Sequence, residues 1–179
     1  SVDNIIDSGA VVVTGTTTLD SGNGKQITLD HSGNDFGTVA LASTGDTVVI
    51  NDSSALDLGA MNTASLNVTA GGAISNSGAL VVSGLTTLNS GNNAAVTLNN
   101  VGNDFSSVTV SSTGNSVVLN DLNEIELGTI NAASLTVSSA GNISQSGALT
   151  TTNNASFTAT NGDILLNQLY SRLEVLPAP

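Results

Sequence analysis

Glu124 and Glu126 stand on either side of Ile125. On an extended strand such residues share a face, so both carboxylates would face solvent about 7 Å apart, a separation that suits an inverting glycosidase. Asp35 and Asp104 recur in identical Gly-Asn-Asp-Phe segments, and Asp52 and Asp121 in identical Asn-Asp pairs. Oxygen-only ligand sets of that kind suit a hard cation such as calcium. His31 is the one histidine, and Thr16, Thr17 and Thr18 raise the idea of a flat, ice-matching threonine array. Each reading depends on what holds these residues.

The chain is built from a repeat. Residues 8–76 align without a gap on residues 77–145, with 36 of 69 positions identical, and a third copy runs over residues 146–168. Inside each unit a smaller template recurs: a short alternating strand, a Gly-Asn or Gly-Asp turn, then another strand. Leu135–Ile143, Val108–Val117 and Phe157–Ile164 all follow it. Period-2 alternation with β-branched residues marks half-buried strands, and Gly/Asn pairs mark turns needing positive φ. Three modules per 69 residues give roughly 23 residues each. Strands this short bury their inward residues only by stacking module on module.

The expected fold is therefore all-β, a parallel β-helix of three strands and about 23 residues per rung. Eight rungs at about 4.8 Å would make a rod roughly 37 Å long. Along one wall Val39/Leu41, Val108/Val110 and Leu135/Val137 should point in, and Ala40, Thr109 and Thr136 out. An antiparallel sandwich would not be expected to keep a gapless register over the whole repeat. Residues 1–168 form this solenoid. Residues 169–179 are a cap, an assembly segment or sequence foreign to the natural chain. Leu166, Leu169, Leu173 and Leu176 fall at helical spacing, which predicts a short helix lying across the last rung or pairing with a neighbouring chain.

Comparing the copies weighs the candidate chemistry. Asp20, Asp30 and Asp46 become Asn89, Asn99 and Asn115, an exchange that a turn tolerates and a metal or acid–base site does not. Glu124 and Glu126 align with Ala55 and Asp57, and His31 with Asn100 on a polar turn. The nonapeptide calcium repeat is missing, and outward positions vary too much for an ice-binding face. Phe36 and Phe105 read as plugs folding inward beside a polar turn. No catalytic residue, cofactor or metal is expected.

Composition limits partners. Lys25 and Arg172 are the only basic residues against a net charge of −12, which excludes nucleic acid and argues against anionic lipid. An anionic sugar polymer would likewise lack a cation to hold it. No run of apolar residues is long enough for a membrane span. Charged residues make up 9%, but aliphatics run throughout and only two prolines occur, so the chain buries a core instead of staying disordered. Cysteine is absent, which suits passage through an outer-membrane pore unfolded. With no initiator Met or signal peptide, the chain reads as an excised fragment.

Ser77-Gly78-Ala79-Leu80, Val101-Gly102-Asn103-Asp104-Phe105 and Leu66-Asn67-Val68-Thr69-Ala70-Gly71-Gly72-Ala73-Ile74 resemble the repeat regions of filamentous-haemagglutinin-type exoproteins, bacterial adhesins secreted by a two-partner route. The resemblance covers residues 8 to about 168. It implies a right-handed β-helix, a secreted or cell-surface location, and a stalk within a longer chain. The implied partners are neighbouring segments of the same exoprotein, with self-association through the C-terminal tail or the open strand edges. The rival reading is an acidic surface that binds a host or environmental glycan or receptor.

Overall fold

The computed structural model describes residues 3–42, 44–91 and 93–167, with backbone alone at 45, 113 and 114. Sixteen strands and no helix occur among them. Every ladder between those strands is parallel. Parallel partners so close in sequence, with no helical crossover between them, mean that the chain coils on itself. The result is a β-solenoid of about eight turns.

One turn shows how the sequence makes three walls. Leu56–Leu58 forms the first, residues 61–63 the second and residues 66–70 the third, with a break in register between Thr63 and Leu66. Ile74 then lies on Leu56 and starts the next turn. Burial alternates along each segment, so that Met61, Thr63, Leu66, Val68 and Ala70 point in while Asn62, Asn67 and Thr69 point out. Corners are tight enough to demand glycine. A Cβ on Gly78 would overlap the backbone of Gly59 and Ala60 one turn below, and one on Gly147 would overlap Gly128 and Thr129. That close approach explains the recurring Ser-Gly-Ala-Leu.

The core is a set of axial ladders. Leu29, Ile50, Val68, Leu88, Val110, Ile130 and Leu149 stack in that order on one wall, and all seven are buried. Each such side chain contributes about 1.5–3 kcal/mol by leaving water. A turn therefore takes roughly 20 residues. That is shorter than the rung expected from dividing the repeat by three.

The discrepancy has a geometric cause. Leu98, the copy of Leu29, belongs to a second ladder that rises from Val39 and Leu58 and continues through Leu119, Val137 and Phe157. Three turns above Leu29 the chain is at Leu88, and Leu98 lies one wall further on. Three turns above Val39 it is at Leu98, and Val108, the copy of Val39, lies two walls further on, over Thr86 and Leu66. Each copy of the repeat thus spans about three and a half turns. The inward residues named from sequence do face in, Leu41 being half-buried, and Ala40, Thr109 and Thr136 face outward. They do not all share one wall. Val39 and Val137 belong to the ladder through Leu58, Leu98 and Leu119, whereas Val110 stacks on Leu88 in the Leu29 ladder.

Of the predicted tail face only Leu166 is described: it follows the strand Ile164–Leu165 and packs partly buried on the core. Leu169, Leu173 and Leu176 lie outside the described residues.

Candidate functional site

The Gly-Asn-Asp-Phe segment is a corner clamp. Asn103 is fully buried. Its Oδ1 accepts the Leu80 N–H at 3.0 Å and the Asn76 amide at 2.7 Å, while its own amide donates to the Leu98 carbonyl at 3.2 Å. Asn34 repeats the role, accepting the Val11 N–H at 2.9 Å and donating to Asp7 at 2.7 Å. Phe36 and Phe105 turn inward and are almost wholly buried, as expected of plugs. Their backbone N–H groups donate to Asp52 and Asp121 of the next turn, at 2.6 and 2.7 Å. The recurring aspartates thus tie one turn to another.

Burial pushes the Asp121 carboxyl up to about 6, against the lowering effect of the Phe105 and Asn123 N–H groups, and the Asp104 charge adds to the rise. At Asp7, burial is outweighed by the Asn34 amide, the His31 and Asp30 N–H groups and the His31 charge, so its carboxyl lies below the usual range. Among the described residues no group of three or more His, Asp or Glu side chains is placed to hold a metal ion.

Two turn readings gain a mechanism. His31 is exposed, and its Nδ1 accepts the Gly33 N–H at 3.0 Å. Its counterpart Asn100 accepts the Gly102 N–H through Oδ1 at 2.9 Å. The imidazole stands in for a side-chain amide that closes the turn. Asp20 accepts the Gly22 N–H at 3.1 Å in the same way. Thr16 and Thr18 face outward while the hydroxyl of Thr17 is buried, so the triplet makes no flat array.

Glu124 and Glu126 do face solvent on either side of buried Ile125. Sequence reading missed their company. They line an outer groove of about 820 Å³ together with Asp104 from the turn below and Asn142 and Ser144 from the turn above. Glu126 pairs with Ser107 and Ser144 across the ladder. Its carboxylate accepts the Ser146 hydroxyl at 2.8 Å, and Asn123 donates to Asp104 at 3.0 Å. Asp104 and Asn142 each stand one turn of chain away from Glu124. Only the correct turn length brings them together.

A family model described as repeats of unknown function (DUF5649) matches residues 1–43, 45–112 and 114–169. The chain belongs to this family. The second match begins at position 45 and the third at position 114, one internal repeat later. The DUF5649 unit therefore has the length of that repeat and, in this fold, of about three and a half turns. No curated protein and no solved structure matches the chain.

Proposed function

We propose that this DUF5649 array is a spacer segment of a large secreted bacterial surface protein of the filamentous-haemagglutinin type, holding a binding region away from the cell. The observation that carries the reading is the axial stacking of one continuous apolar core through about eight turns. Each turn makes ladders with the turns above and below it, so adding copies adds length without changing cross-section. A copy of about three and a half turns adds about 17 Å at the usual strand spacing. The sequence resemblance and the absence of cysteine support a secreted location. This role is mechanical and involves no catalysis.

Small-angle scattering on chains extended by one and by two copies of the repeat tests the reading. Maximum dimension should rise by about 17 Å per copy at constant cross-section. A cross-section that grows with copy number would overturn the spacer role. Surface location is tested separately, by accessibility of the native protein to protease added to intact cells.

A further inference from the structure

The side chains around the outer groove differ between the copies. Between the copies the scaffold residues are retained: Asn34 and Asn103, Phe36 and Phe105, Asp52 and Asp121, Leu58 and Leu127. Four groove positions change: Ser54, Ala55, Asp57 and Ala73 become Asn123, Glu124, Glu126 and Asn142, while Asp35 and Ser75 stay as Asp104 and Ser144. Each change lengthens the side chain, and together they add one carboxylate and two amides around a cavity of about 820 Å³.

Shape and chemistry name an occupant. The groove crosses consecutive turns, from Val81 through Asp104, Glu124 and Asn142 to Leu165, so it runs along the axis. Turns repeat at about 4.8 Å, close to the length of one sugar residue in an extended polymer. Each sugar would therefore meet a new set of outward side chains. Hydroxyl and amide groups of Ser83, Ser106, Ser144, Asn123 and Asn142 suit the donors and acceptors of a sugar ring. Asp104, Glu124 and Glu126 make the groove negative, and no basic residue lines it. The Glu124 carboxylate accepts no hydrogen bond from the described residues. We propose that this groove binds an extended glycan bearing free amines, laid along the solenoid axis with its ammonium groups against these carboxylates.

Calorimetry with a glucosamine tetramer, an N-acetylglucosamine tetramer and tetralysine tests this at physiological ionic strength. Saturable one-to-one binding of the glucosamine tetramer is expected, about ten-fold weaker for its acetylated counterpart. Glu124→Ala combined with Glu126→Gln should weaken binding by about ten-fold or more. Asp30→Asn combined with Asp46→Asn removes the same charge far from the groove and should change affinity less than about two-fold. Glu124→Ala, Asp30→Asn and Asp46→Asn each install the residue found at the matching position of the other copy, and Glu126→Gln keeps an acceptor for Ser146, so folding is preserved. Equal loss in both double variants would mean attraction to net charge only and would overturn the site. So would absent binding, equal affinity for tetralysine, or release of new reducing ends from the tetramer.

Discussion

Thr86 points its hydroxyl into the core between Leu66 and Val108, fully buried and with no hydrogen-bond partner. The Thr17 hydroxyl, its counterpart one copy earlier, is orphaned too, and the third copy carries Ala155 there. An unpaired buried hydroxyl costs about 1–3 kcal/mol, so Thr86→Val should raise stability by about 1 kcal/mol in urea melts. Asp121 gives the opposite kind of test. Its folded pKa, about 6, lies above the ordinary 3.8, so the folded state binds the proton more tightly than the unfolded one. Its contribution to stability is full below about pH 4 and is lost as pH rises through about 6. Melts between about pH 4 and 7 should show this decline, smaller than the full shift alone would give because the carboxyl keeps partial contact with solvent. Asp121→Asn should flatten it, at the cost of one of the two accepted N–H bonds.

Strand facing is tested by neighbours of opposite orientation. Val110 is buried between Leu88 and Ile130, whereas Thr109 faces outward. Val110→Asp should cost about 3–5 kcal/mol, as an unpaired charge in an apolar ladder, and Thr109→Asp less than about 1 kcal/mol. Equal shifts in urea midpoint would refute the assignment. Gly78→Ala should also be severe, because the added methyl meets backbone from the turn below. Alternation of apolar and polar residues made these facings legible in sequence, as the Asp-to-Asn exchanges made the turns legible. The turn length was not. A repeat with three modules invites division by a whole number, and only ladder pairing reveals the extra half turn. The groove stayed hidden for the same reason, since Asp104, Glu124 and Asn142 look unrelated when a turn is taken as one third of a repeat.

For the whole molecule, stability resides in turn-to-turn interfaces, so an added copy should raise the urea m-value in proportion to the surface it buries. Independent melting of copies would show instead that the interfaces between them are weak. The half-turn advance per copy is also measurable. Thr109 and its counterpart Ala40 both face outward, and the chain has no native cysteine. Spin labels on Ala40→Cys and Thr109→Cys should lie further apart than the roughly 17 Å of axial rise, because they sit on different walls. A separation equal to the rise would mean that copies stack in line.

That advance has a mechanical corollary. Two copies carry any given side chain back to its starting face after about seven turns, so matching residues of successive copies alternate between opposite sides of the rod. Along either side they recur only about every 34 Å. A line of weak packing or of adhesive residues is therefore interrupted by every second copy and forms no continuous seam. Two rods lying side by side touch through matching residues only at those intervals, too sparsely to zip along their length.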